Sequence, residues 1–253
     1  MQESSRPVLR ACLLGAGRAG GSLAMAWQAA GALRFVAVLA RSGQSEVASQ
    51  LDCAVHSSIQ ALPEADVWVI AVPDDAIAAV ASALAQSASL RAPGVAFHLS
   101  GALSSEALEP LRQRHLAVAS GHPVRAFPAV DSALDFATSR CAIEGDPSAV
   151  ERVTRLFEAI GGQCFFIDSH FKTAYHCAAV LASNGLVDLA DTALSSWQAA
   201  GVPADLAREL FTDLVADAAD NVVQNGTRAS VTGPLGRGDH AVVAAQIADL
   251  VAR

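Results

Sequence analysis

The chain has 253 residues, of which 52% are hydrophobic and 17% charged, and it carries a formal net charge of −8. That composition excludes disorder, which needs low hydrophobicity and high charge, and a chain this long buries enough surface to fold without disulfide or metal staples. Mean hydropathy is high at +0.35, yet there is no uninterrupted run of about 18 apolar residues and no apolar signal core behind the polar residues 1–10, so a cytoplasmic protein outside the membrane is expected.

Apolar runs alternate with helical patterns through the first two-thirds of the chain, which predicts an α/β fold with a mainly parallel, Rossmann-type sheet. Strands are predicted at 8–14, 35–39, 53–56, 67–72, 95–99 and 116–120. Helices are predicted at 19–30, stopped by Gly31, and at 76–85, with Asp75 as the expected cap. Residues 141–143, 148–160 and 164–167 read as one more strand–helix–strand unit. After Asp168 the pattern becomes all-helical: a long helix over 170–200, a second over about 203–225, a Gly- and Pro-rich loop over 226–239 and a last helix to the C-terminus. This places a dinucleotide-binding domain at 1–168 and an all-helical C-terminal domain, for substrate binding and dimerisation, at 169–253.

Gly15-Ala16-Gly17-Arg18-Ala19-Gly20 follows the first strand directly and opens the first helix, the context a dinucleotide fingerprint requires. Gly15 permits the tight turn, Gly17 lets the backbone approach a pyrophosphate, and Gly20 lets the helix pack closely on the strand. The helix N-terminus adds unpaired N–H groups for the phosphates. The second strand ends Leu39-Ala40-Arg41-Ser42, without the carboxylate that holds the ribose 2′-hydroxyl of NAD. Arg41 and Ser42 suit a 2′-phosphate, so NADP(H) is the expected cofactor. The plain alternatives are a glycine turn without a ligand and a solvated Arg41. Val72 ends a predicted strand and Pro73 and Ser100 follow predicted strands at the carboxyl edge of the sheet, so they belong beside the cofactor by the same rule.

The basic residues are nearly all Arg and scattered singly, which argues against nucleic-acid binding; five cysteines lack ligand spacing, so no metal is expected. Four histidines stand out: His98 and His122 at predicted strand ends, then His170 and His176 on the long helix. Lys172, the one lysine, shares a narrow helical arc with His176 and Ser183, and Asn184 flanks it. A lysine can give a proton to a carbonyl oxygen as hydride arrives, and burial tunes it for that task. A surface lysine and hydrogen-bonded structural histidines are the alternatives. Arg237 in the late loop could clamp a substrate carboxylate, or simply sit in an interhelical loop.

Residues 15–20, 72–75, 98–102, 121–127, 143–146, 175–184 and 232–239, with their His-x-Ser-Gly, His-Pro, Tyr-His and Thr-Gly-Pro motifs, resemble a bacterial family. In that family a Rossmann-like domain precedes a C-terminal domain called DUF2520. It is similar in architecture to pyrroline-5-carboxylate reductases and to the 6-phosphogluconate dehydrogenase-like group. The resemblance implies an NADP-dependent oxidoreductase acting on a small-molecule substrate, with a ketopantoate-like 2-oxo acid as the leading expectation. An imine reductase of the pyrroline-5-carboxylate type is one alternative, and a non-catalytic NADP-binding sensor or assembly protein is another. Related enzymes place an Asn four residues after the catalytic Lys, whereas here His176 follows Lys172 at that spacing. Lys172 and His176 are therefore the candidate proton donors, Asn184 would orient the substrate, and His122, Ser183 and Arg237 would contact it. The relatives often dimerise through their helical domains, which implies a homodimer here.

Overall fold

The computed structural model describes residues 8–131 and 133–252; of the polar start at 1–10, residues 1–7 lie outside the described residues. The chain enters through strand β1 (Leu9–Leu14) and helix α1 (Arg18–Ala29), then β2 (Leu33–Leu39), α2 (Glu46–Gln50), β3 (Ala54–His56), β4 (Val67–Ile70) and α3 (Asp74–Ala85). It continues as β5 (Val95–His98), α4 (Glu109–Arg112), β6 (Ala117–Pro123), β7 (Arg140–Gly145), α5 (Pro147–Ala159) and β8 (Gln163–Phe166). Four helices complete it: α6 (Lys172–Ala199), α7 (Ala204–Ala229), α8 (Gly233–Arg237) and α9 (His240–Ala252).

The strands form one eight-stranded sheet in the order β3-β2-β1-β4-β5-β6-β7-β8. All neighbours are parallel except β6 and β7, so the α/β expectation holds. Two cores cover its faces, as a mainly parallel sheet requires. On one face Leu23 and Trp27 of α1, Val47 of α2 and Val153 and Phe157 of α5 pack on Leu13, Val69 and Phe97. On the other, Ile77, Ala81 and Leu84 of α3, Leu108 just before α4 and Leu111 within it pack on Leu14, Ile70 and Val118.

Several expectations need correction. Strand β6 continues beyond Ser120, because Gly121, His122 and Pro123 pair antiparallel with Ile143, Ala142 and Cys141. Asp75 does not cap α3: that helix starts at Asp74 behind Pro73, with no side-chain cap, and both aspartates sit in the first turn, where its dipole favours them. The supposed loop at 226–239 contains the end of α7, which runs past a kink at Gly226 (φ +76°), and all of α8. The short helices α2 and α4 were too brief to show a period.

The chain divides into two compact units, one ending at Ala179 and the other starting at Val180. That division falls inside α6, beyond the boundary near Asp168 read from the sequence. The second unit is wholly helical and exposes Leu181, Val187, Leu214, Val223, Leu235 and Ile247. By length and composition, the stretch Ser169–Ala199 is apolar enough to cross a membrane, with a mean hydropathy of 1.3 in its best window; its interspersed polar residues are why no uninterrupted apolar run announced it. The first turn of α6 nonetheless buries Lys172 within the first unit.

Candidate active site

A cleft of about 620 Å³ opens at the carboxyl ends of β1 and β4, lined by Gly15, Ala16, Gly17, Arg41, Val72 and Pro73 among others. Its floor explains the glycines. Gly15 has φ +97°, and a Cβ there would lie 2.6 Å from the Ala71 carbonyl oxygen; one at Gly20 would lie 2.5 Å from the Ala71 Cβ. A Cβ at Gly17 would meet nothing within 4 Å, so that position faces open space. Among the described residues the N-cap of α1 has no side-chain hydrogen bond, which leaves its first N–H groups for a ligand. Ala19 lies in the first turn of that helix, while the Arg18 guanidinium donates to the Pro128 carbonyl at 3.4 Å. Arg41 also lines the cleft, whereas the Ser42 hydroxyl is engaged in its own turn, donating to the Gln44 carbonyl at 2.9 Å.

The other half of this edge is built from side chains. Leu14 is in register with Ile70, Ile70 with His98, His98 with Ser120 and Ser120 with Glu144. Register partners project on the same side of a sheet, so one row of side chains crosses five strands and turns from apolar to polar between β4 and β5.

Lys172 meets this row. It is 2% exposed, and its ammonium donates to the Ser100 carbonyl and the Ser120 hydroxyl, each at 2.8 Å. The Ser120 hydroxyl in turn donates to the same carbonyl at 3.1 Å. Burial lowers the Lys172 pKa to about 8, against the opposing pull of Glu144 and Asp74, so the group is mostly charged at neutral pH. Lys172 and Glu144 are the buried charges among the described residues. The Glu144 carboxylate accepts from the Ser105 N–H at 2.7 Å and the Ser105 hydroxyl at 2.8 Å.

The Ser100 turn is fixed at nearly every polar atom. Its N–H donates to His98 Nδ1 at 3.2 Å, and its hydroxyl accepts from the N–H groups of Ala102 and Leu103 at 3.1 and 3.0 Å. His98 Nε2 therefore carries the ring proton and donates to the Ser104 carbonyl at 3.1 Å. Burial lowers the His98 pKa to about 4, and with both ring nitrogens committed its role is structural.

This turn presents Gly101 to two imidazoles. A Cβ at Gly101 would stand 2.4 Å from His176 Nδ1 and 2.8 Å from His122 Nε2, so only glycine lets them approach. The two rings meet edge to face, centroids 5.5 Å apart. His122 Nδ1 is hydrogen-bonded to the Tyr175 hydroxyl at 2.7 Å. Burial, then the Lys172 charge, lower the His122 pKa to about 4, and burial raises that of Tyr175 to about 12, so both are neutral near pH 7. His176 Nδ1 is buried with no hydrogen-bond partner among the described residues, which is where a ligand atom would satisfy it.

Of the residues singled out from the sequence, the first unit brings together Lys172, His176, His122 and Ser100. Ser183, Asn184 and Arg237 lie in the second unit. The Ser183 hydroxyl donates to Asn184 Oδ1 at 3.2 Å, and Arg237 at the end of α8 pairs with Asp239 at 3.0 Å. Three residues of the cluster were missed: Ser120, Gly101 and Tyr175. The alternation of β6, which sends Ser120 and His122 to one face, and the place of the single tyrosine beside His176 were the available signals.

A search among curated proteins finds no match. Among solved structures, a Bacteroides fragilis protein provisionally named an NADP oxidoreductase is 20% identical and aligns over 96% of this chain and 91% of its own, with a TM-score of 0.75. Protein TM1727 of Thermotoga maritima is 28% identical over 94% of this chain and 87% of its own, at 0.71. The Plasmodium falciparum pyrroline carboxylate reductase, solved with NADP bound, is 13% identical over 96% and 94%, at 0.65. These likenesses establish the shared fold. Residues 2–123 match the Rossmann-like domain model and residues 139–253 match the model of DUF2520, a domain of unknown function.

Proposed function

We propose that the chain is an NADP-dependent oxidoreductase that reduces the carbonyl of a small oxo acid. One observation carries the reading. The glycine cleft flanked by Arg41 and the Gly101–His122–His176 cluster lie on the same carboxyl edge of one sheet, where open α/β folds bind ligands. Gly15, Gly17 and Gly20 with the start of α1 would hold the pyrophosphate, and Arg41 the 2′-phosphate. Reduced nicotinamide, when bound, supplies the hydride. The chain's own task is then to orient the carbonyl and answer the charge that grows on its oxygen. The Nε2–H of His122 and the unpaired Nδ1 of His176 converge at Gly101 for that purpose, and Lys172 holds the turn beneath them.

A second reading, reduction of a cyclic imine, is favoured by the fold shared with pyrroline carboxylate reductases. NADPH titration followed by a panel of 2-oxo acids, ketopantoate included, and cyclic imines tests both. NADPH should bind at least tenfold tighter than NADH, and turnover of an oxo acid alone supports the first reading. Failure to bind NADPH, or turnover of imines only, overturns it. The exposed apolar residues of the helical unit support the further proposal that two copies pair through it. A monomer by light scattering at micromolar concentration would refute that.

A further inference from the structure

We propose that Tyr175 and His122 form a proton relay, in which the tyrosine hydroxyl is the proton source and the imidazole hands a proton to the substrate oxygen. The inference rests on the reductase reading above and adds the path of its proton.

The geometry sets the direction of the hydrogen bond. A phenolic O–H is a good donor and its oxygen a weak acceptor, while an unprotonated imidazole nitrogen is a strong acceptor. At 2.7 Å the Tyr175 hydroxyl therefore donates to His122 Nδ1, which leaves the ring proton on Nε2. Nε2 is the atom that faces Gly101 and the neighbouring His176. Burial discourages a second proton on this ring, and the buried ammonium of Lys172 does so further.

A neutral imidazole that gave up its Nε2 proton alone would be left as an imidazolate. It can act as a donor only by taking a proton at Nδ1 in the same event, and Tyr175 is bonded there. The step balances as follows. Hydride adds to the carbonyl carbon and the π pair moves to oxygen. The Nε2–H bond breaks as the new O–H bond forms, and the tyrosine O–H bond breaks as Nδ1–H forms. The imidazole ends neutral in its other tautomer and the tyrosine ends as a phenolate. After product leaves, water returns one proton to Nε2 and the Nδ1 proton goes back to the tyrosine.

Lys172 fits the phenolate stage. Its ammonium lies 5.9 Å from the centroid of the Tyr175 ring, a positive charge that works against the burial that raises the phenol's pKa. In the relay it is a positioning residue, with two of its N–H groups bonded to Ser100 and Ser120.

Nitrogen-15 NMR of the wild-type protein saturated with NADP⁺ tests the pair without a substrate. His122, assigned by loss of its signals in His122→Gln, should show a pyridine-type Nδ1 and a pyrrole-type Nε2. The opposite tautomer overturns the relay. On the substrate found by the panel, Tyr175→Phe should lower kcat about 100-fold with KM within threefold, the scale of acid catalysis. The Tyr175→Phe/His122→Gln double variant should be no slower than the slower single variant, since relay partners act as a unit. Additive losses overturn the relay as well. Failure of NADPH to bind would instead count against the reductase reading, and the tautomer would still judge the relay.

Discussion

Along one sheet edge, the β1–β4 side presents backbone and the β5–β7 side presents side chains. On the first, Gly15, Gly17 and Gly20 clear space and the row residues Leu14 and Ile70 are apolar core. On the second, His98, Ser120 and Glu144 continue the same row, and each has found a buried partner. A backbone cradle loses little if one side chain changes, because its donors are main-chain N–H groups. A buried polar cluster is the opposite case: removing one member strands the others, at about 1–3 kcal/mol for each unpaired group. The polar half should therefore fail as a unit and the glycine half by degrees.

The sharpest test is Lys172→Met. It leaves the Ser100 carbonyl and the Ser120 hydroxyl short of a donor, so we expect a loss of roughly 2–4 kcal/mol and a melting temperature lower by about 5–10 °C. A melting curve that matches wild type would break the contrast. Gly101→Val comes next. With its Cβ 2.4 Å from His176 Nδ1, the imidazoles must move; turnover should fall about 100-fold, the scale of an ångström's misplacement, while the NADPH dissociation constant stays within threefold. Equal losses in both would show that the two halves are coupled. The smallest effect belongs to Arg41→Ala, expected to weaken NADPH about tenfold and NADH less than twofold, in keeping with one charge-assisted contact. Isothermal titration with both nucleotides decides it.

The backbone half was legible because its signal is contiguous. Six residues running from the end of a strand into the first turn of a helix contain the whole glycine pattern, and Arg41 lies just past the next strand. The side-chain half comes from β5, β6, β7 and α6, and no local pattern joins Ser120 to Lys172 across 52 residues. Helical spacing did put Lys172 and His176 on one face. The same arithmetic passed over Tyr175 and extended the face to Ser183, because periodicity does not register where a helix leaves the sheet it started on. The reversal at β7 was also invisible, since an apolar run has the same composition whichever way it points. That reversal is what keeps β6 pairing through His122 and so places His122 within the sheet.

Ser120 meets Lys172, and two residues later His122 meets Tyr175, so helix and strand set out side by side in the same direction. Two strand residues climb about 6.6 Å and three helical residues about 4.5 Å. The difference of roughly 2 Å is small enough for long side chains to absorb once. A third pair would double the offset, so the two lattices keep step for a single helical turn and then part. One residue inserted between Lys172 and Tyr175 would swing the phenol about 100° around the axis and erase the second contact while sparing the first. The reach of the cluster is thus limited by the mismatch of two periodicities as much as by the chemistry of its members.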